Sequence, residues 1–180
     1  MEQNKPIIVD GEEIKVNRQE FKLVTDPNAS FEEYGWTEEF VEEMLYVAAN
    51  EPDHEWMSDH EILNNLGIVY CDGVGVDRNI EKSIMYFERA VALDDDLARS
   101  NLADIYRQGW LYGIPVDHQK AFELYKACRL PYAFYRVGEY YENGRAGITD
   151  IDQAKKNYRV AYEAGNGLAR KKLQTFDFLH

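Results

Sequence analysis

The residues best suited to chemistry in this chain are scattered, and few share a productive spacing. Gly73-x-Gly75 has two glycines of a phosphate-cradling loop, but lacks the third and follows a helical pattern where that motif follows a strand. It reads as an interhelical turn. His54, Glu55, Asp59, His60 and Glu61 gather metal-capable side chains, yet the two histidines are six apart and do not stack on one helix face. Asp94-Asp95-Asp96 lacks the alternate spacing and the glycine of a calcium loop, and reads as a helix end with Asp96 capping the next helix. Cys71 and Cys128 form no Cys-x-x-Cys pair, and Cys128 occupies a position filled by Ala90 and Ala161 elsewhere, that of a small core residue. No Gly-x-Ser-x-Gly and no Gly-x-x-x-x-Gly-Lys-Ser/Thr occurs. With no nucleophile–base pair and no cofactor cradle, the expectation is a protein that is not an enzyme and takes no metal or cofactor.

Charge says more. The net charge is −13, and residues 1–60 carry −12 of it, from sixteen acids against four bases. Phe31–Asp59 holds ten acids and no Lys or Arg. Such a face either solvates the protein or docks a basic partner. Nucleic acid is disfavoured, because a phosphate-binding surface needs clustered Lys and Arg. At 45% hydrophobic and 13% aromatic the chain has the makings of a packed core, which argues against global disorder. No run of apolar residues reaches the length of a membrane span, and Ile7-Ile8-Val9 is too short for a signal sequence. A cytoplasmic protein is expected.

Internal repetition decides the architecture. Leu66-Gly67-Ile68-Val69-Tyr70, Leu102-Ala103-Asp104-Ile105-Tyr106 and Val137-Gly138-Glu139-Tyr140-Tyr141 align at spacings of 36 and 35 residues. Gly73, Gly109 and Gly144 close each block, as glycines that end a helix in the left-handed region. A second block follows each: Lys82-Ser83 with Tyr86-Phe87 and Ala90, Lys120-Ala121 with Leu124-Tyr125 and Cys128, Gln153-Ala154 with Tyr158 and Ala161. Asn79, Asp117 and Asp150 stand three residues ahead of these blocks, as N-caps. The small residues Gly67, Ala103 and Gly138 let the paired helix approach closely. One unit is helix, turn, helix, and neighbouring pairs must stack to bury their apolar stripes.

The pattern Leu66-Gly67-x-x-Tyr70-x-x-Gly73-x-Gly75-Val76, then Lys82-Ser83, Tyr86-Phe87 and Ala90, resembles Sel1-like repeats of the tetratricopeptide superfamily. The likeness covers residues 61–172, about three repeats and a fragment. The second repeat departs from it by inserting Trp110-Leu111-Tyr112, and the third carries Arg145-Ala146-Gly147 in its turn. The resemblance implies an all-α, right-handed α/α superhelix whose first helices line a concave groove that scaffolds other proteins. It implies no catalytic activity.

Residues 1–60 lie outside that pattern and form an acidic N-terminal segment, ahead of repeats in 61–180. Ile7-Ile8-Val9, Asp10-Gly11 and Ile14-Lys15-Val16 predict a hairpin with a two-residue turn, Phe21–Val24 a further extended piece, and Asp26-Pro27-Asn28 a turn. Thr37 caps a helix over Glu38–Ala49 that covers the first repeat, and Ser58 with Glu61 suggests a capping box ahead of the first repeat helix.

If Leu66, Gly67 and Tyr70 face inward, helical geometry turns Asn64, Asn65, Ile68 and Cys71 toward the groove. Ser100, Asn101, Asp104 and Arg107 follow in the second repeat, and Tyr135, Arg136, Glu139 and Glu142 in the third. Asn65 and Asn101 suit an extended peptide backbone, since a side-chain amide both donates and accepts. The expected partner is another protein or peptide. Two further readings remain open. An acidic inhibitor or immunity protein could plug the basic cleft of a toxin or nuclease. Head-to-tail self-association could join the acidic head to Lys155, Lys156, Arg159, Arg170, Lys171 and Lys172.

Overall fold

The computed structural model describes residues 5–18 and 31–177. The predicted extended piece at Phe21–Val24 and the turn at Asp26–Asn28 lie outside them. Among the described residues the chain is mostly helical, with one small antiparallel hairpin, and it divides into two compact units. The division falls within one helix, after residue 102.

The unit of residues 31–102 begins with α1 (Phe31–Tyr34) and α2 (Glu38–Asn50). Thr37 caps α2, its hydroxyl accepting from the Phe40 N–H at 3.2 Å. Val41, Met44 and Val47 form the buried stripe of α2, while all ten acids of Phe31–Asp59 are exposed. Tyr34 donates to Asp72 at 2.8 Å, tying α1 to the end of α3 (His60–Asp72). α3 and α4 (Ile80–Ala92) form the first repeat pair. Gly67 is what lets them close: a Cβ there would lie 2.5 Å from the Phe87 ring. Ser83, fully buried at the matching level of α4, donates to the Gly67 carbonyl at 2.8 Å. α5 (Asp96–Arg107) then starts the second repeat.

Two starts differ from expectation. Ser58 belongs to a 3-10 turn over Glu55–Ser58, so α3 begins later and Asp59 caps it, accepting from Glu61 and Ile62 N–H. Asp95, not Asp96, caps α5 by accepting from Ala98 N–H, because Asp94 takes the left-handed turn (φ 63°) one residue earlier.

The unit of residues 5–18 and 103–177 contains α6 (Gly109–Tyr112), α7 (His118–Ala127), α8 (Pro131–Asn143), α9 (Ile151–Glu163) and α10 (Gly167–Asp177). Asp117 and Asp150 cap α7 and α9 as expected. Gly144 ends α8 in the left-handed region, as Gly73 ends α3. Gly109 does not end its helix this way. The inserted Trp110-Leu111-Tyr112 adds a turn, Gly113 (φ 72°) ends it, and Gly109 is needed because a Cβ would meet the Pro115 carbonyl at 2.5 Å. Trp110 stays 71% exposed on this insertion.

The hairpin pairs β1 (Ile7–Val9) with β2 (Glu12–Ile14) through Asp10-Gly11. Both turn residues have positive φ, 52° and 82°, as a two-residue turn matched to strand twist requires. It packs on α9: Ile7, Val9 and Val16 bury against Val160, with Ile14, Phe134 and Ala164 around them. Glu12 and Asp10 reach Lys156 and Arg159 on the same helix, at 2.6 and 3.2 Å.

Candidate functional site

The motifs that could suggest chemistry serve the scaffold. Gly73 and Gly75 both take positive φ in the turn between α3 and α4, and a Cβ on Gly75 would lie 3.2 Å from the ring of Phe31. His54 caps the 3-10 turn through its ring nitrogen, 3.2 Å from Trp56 N, and His60 pairs with Asp95. Asp94 and Asp96 hold the guanidinium of Arg99 at 2.9 and 2.8 Å. Cys71 and Cys128 are buried and not disulfide-bonded, and burial pushes the Cys71 thiol up to about 12, far from the reactive range. Among the described residues no three metal-capable side chains converge, and no helix is long and apolar enough to cross a membrane.

The twelve groove positions separate by depth. Asn64, Ser100 and Tyr135, which are equivalent in the three repeats, are all buried, as is Cys71. Helix packing covers that face, so Asn64 and Ser100 are not open surface. Asn64 still works as an acceptor for Asn101, whose amide donates to it at 3.1 Å. Asn65, Ile68 and Asn101 are half-buried.

In the unit of residues 103–177 the sequence-derived candidates come together in one network of hydrogen bonds and ring contacts, Glu142 joining it through Tyr158, whose ring lies 5.7 Å from that of Tyr135. Asp104 Oδ1 accepts from Arg107 Nε at 3.0 Å, from Tyr125 at 2.8 Å and from Tyr132 at 3.0 Å. Tyr132 in turn accepts from Arg136 Nε at 2.8 Å, and the guanidinium lies over its ring. Arg136 Nη1 donates to Glu139 Oε2 at 2.6 Å, while Tyr135 donates to Glu139 Oε1 at 3.1 Å. Glu142 continues the line one turn on, accepting from Lys172 at 2.7 Å and from Tyr158. Burial pushes the Tyr125 phenol well up, and its Asp104 neighbour adds to this, so the O–H remains a donor. Hydrogen bonds to charged partners contribute about 1.5–3 kcal/mol each, enough to hold these side chains in one arrangement.

Three members of this network, Tyr125, Tyr132 and Tyr158, were not among the candidates read from the sequence. Tyr132 sits four residues before Arg136, a spacing that pairs side chains on one helix face and could have flagged it. Tyr125 and Tyr158 come from the second helices, where a tyrosine reads only as core.

A profile described as Sel1 repeat matches residues 61–95, 97–127 and 131–166. The chain belongs to the Sel1 repeat family. A crystal structure of a Sel1 repeat protein from Oxalobacter formigenes is similar at 26% identity and a TM-score of 0.63, covering 76% of this chain and 98% of that one. The structure of c5321, a protective antigen in uropathogenic Escherichia coli strains displaying an SLR fold, is similar at 26% identity and a TM-score of 0.65. That match covers 82% of this chain and 31% of the antigen. No protein of curated function matches the chain. The fold class is therefore the one expected: a helix-pair solenoid class with a small N-terminal hairpin. Sel1 repeats are generally protein–protein interaction scaffolds, and typically not catalysts.

Proposed function

We propose that this protein is a non-enzymatic scaffold that holds another protein or peptide against the polar strip of Asp104, Arg107, Arg136, Glu139 and Glu142. The observation that carries the reading is this network of hydrogen bonds and ring contacts. Five charged side chains from the first helices of two successive repeats are half-buried and fixed by tyrosines beneath them. Fixing them in advance lowers the entropy lost on binding, which is the main way a polar surface gains affinity. Asn65, Ile68 and Asn101 present the corresponding positions in the first repeat and at the start of the second. No cofactor, metal, nucleic acid or membrane enters this reading, and a cytoplasmic setting suits cysteines that form no disulfide.

A second reading rests on the exposure of all ten acids in Phe31–Asp59. That face could steer a basic partner, as an inhibitor of a basic toxin would need. Head-to-tail self-association has less charge to draw on, because Glu12, Asp10 and Glu142 of the same chain already engage Lys156, Arg159 and Lys172.

Affinity capture with the full chain separates these readings. Arg107→Gln with Arg136→Gln should release the captured partner, while Glu32→Gln, Glu39→Gln, Glu42→Gln and Glu43→Gln should leave it bound. The opposite pattern overturns the assignment of the strip and favours the acidic face.

A further inference from the structure

The inserted Trp110-Leu111-Tyr112 has no part in the strip, and it changes one edge of its unit. Two turns there join a first helix to a second: one runs from Gly109 to the Asp117 cap of α7, the other from Gly144 to the Asp150 cap of α9. Each folds back on its own first helix, Asp117 N–H donating to the Tyr106 carbonyl at 2.9 Å and Asp150 N–H to that of Tyr141 at 3.0 Å. His118, just after the first turn, has its Nδ1 3.1 Å from the hydroxyl of Tyr140, four residues before the second, so the two turns are neighbours. On this shared edge Trp110, Leu111, Val116, Ile148 and Ile151 are all exposed. The matching turn of the first repeat, in the other unit, buries Val74 and continues with the charged Asp77 and Arg78. Single exposed apolar side chains are ordinary, but five on adjoining turns form a patch that marks an interaction surface.

The chemistry of the turns favours lipid over protein as the cover. Gly109–Val116 contains no charged and no amide side chain, in a chain of which 29% is charged. Its backbone is largely closed on itself: Leu111 N–H donates to Gln108 at 2.7 Å, Gly113 and Ile114 N–H both reach the Gly109 carbonyl, and Pro115 has no N–H. A protein interface carries about one hydrogen bond per 100–200 Å², and these turns offer few groups to make them. A bilayer surface asks for the opposite: apolar side chains, satisfied backbone, and a Trp at headgroup level. Arg145, exposed and the one charge between Gly144 and Thr149, suits a headgroup phosphate. Residues 5–18 and 103–177 carry fifteen Lys and Arg against twelve Asp and Glu, whereas 31–102 carry four against eighteen. The apolar edge belongs to the unit that anionic lipid attracts.

We propose that the turns around Trp110 and Ile148 seat this protein on a lipid bilayer surface. Trp110 and Leu111 enter the boundary between headgroups and acyl chains, and Arg145 meets lipid phosphate. Such seating needs no spanning helix, and it is independent of what the strip binds.

Flotation of the full chain with vesicles provides the test, using phosphatidylcholine alone and phosphatidylcholine with about one-third phosphatidylglycerol. The protein should float with the mixed vesicles at physiological salt. Trp110→Ser with Leu111→Ser should lower the partition by about tenfold or more, with unchanged thermal melts because both side chains are exposed. Met85→Ser, at an exposed apolar position of α4, should leave flotation as it is. Arg145→Gln should weaken binding to the mixed vesicles more than to the neutral ones. No flotation with either vesicle overturns the proposal, as does flotation that the double variant leaves intact. A concentration-dependent dimer without flotation, lost in the double variant, also overturns it and makes the turns a contact between two copies. Partner capture by the strip should be the same in parent and double variant, so failure here leaves the scaffold reading standing.

Discussion

Gly138 lies against the ring of Tyr158 so closely that a Cβ on it would sit 2.7 Å from Cε1. The first repeat uses the same device, with Gly67 against Phe87. Placing Ala at position 138 gains up to about 1 kcal/mol of helix propensity. Overpacking costs roughly 1–3 kcal/mol, and a fully buried ring has little room to retreat. Packing wins. Gly138→Ala should lower stability by about 1–2 kcal/mol in urea melts. A raised midpoint would show that α8 and α9 are not in this contact.

His60 and His118 should bend the pH dependence of stability in opposite directions. The hydrogen bond to Asp95 raises the pKa of His60, with Asp59 and Glu61 adding to it and burial opposing it. The folded protein therefore binds this proton more tightly than the unfolded chain. That stabilisation is complete below about 6.5, the unfolded value, and is lost as pH rises through the folded one. Asp95 is nearly covered but the His60 ring is 51% exposed, so solvent screening keeps the effect small. His118 is the reverse case. Burial, with Arg145 and Arg107, lowers its pKa, so its contribution is complete above about 6.5 and fades as pH falls. Thermal melts of His60→Gln should lose part of the parent's decline between neutral and mildly alkaline pH. An unchanged slope there would contradict the pairing.

The hairpin on α9 offers both apolar and ionic contacts, and the magnitudes separate them. Ile7 is buried against Val160, while the acidic partners of Lys156 and Arg159 are mostly exposed. Exposed ion pairs contribute about 0–1 kcal/mol, whereas truncating a buried Ile to Ala costs about 2–5 kcal/mol. Ile7→Ala should thus destabilise far more than Glu12→Gln, in denaturant melts of the full chain. Equal effects would mean that charge, not burial, fastens the hairpin.

The repeat register was legible because period, glycines and caps agree at separate positions. Asn79, Asp117 and Asp150 each cap the helix they precede. Depth was harder to read. The repeated tyrosine suggests a core marker, yet in the second and third repeats the residue before it is the deeper one: Ile105 and Tyr140 are buried while Tyr106 and Tyr141 are only partly so. A tyrosine with a long polar tip can sit at the edge of a core, as Tyr106 does with Lys120 across its ring. The hairpin's own form was readable from Asp10-Gly11, but its seat on α9 was not. That contact spans some 149 residues, and no local pattern encodes it. The same holds for the site. Helical spacing identified Asp104, Arg107, Arg136, Glu139 and Glu142, whereas two of the tyrosines that orient them, Tyr125 and Tyr158, arrive from other helices.

The central claim is that binding occurs on the strip formed by α5 and α8. Photo-crosslinking tests it most directly, with a benzophenone side chain placed at Glu139 in one full-length variant and at Glu42 in another. The account predicts that the Glu139 variant crosslinks a discrete partner, that the Arg107→Gln and Arg136→Gln changes abolish that crosslink, and that the Glu42 variant gives none. A crosslink confined to the Glu42 variant would contradict it, and would place the docking face on the acidic helix instead.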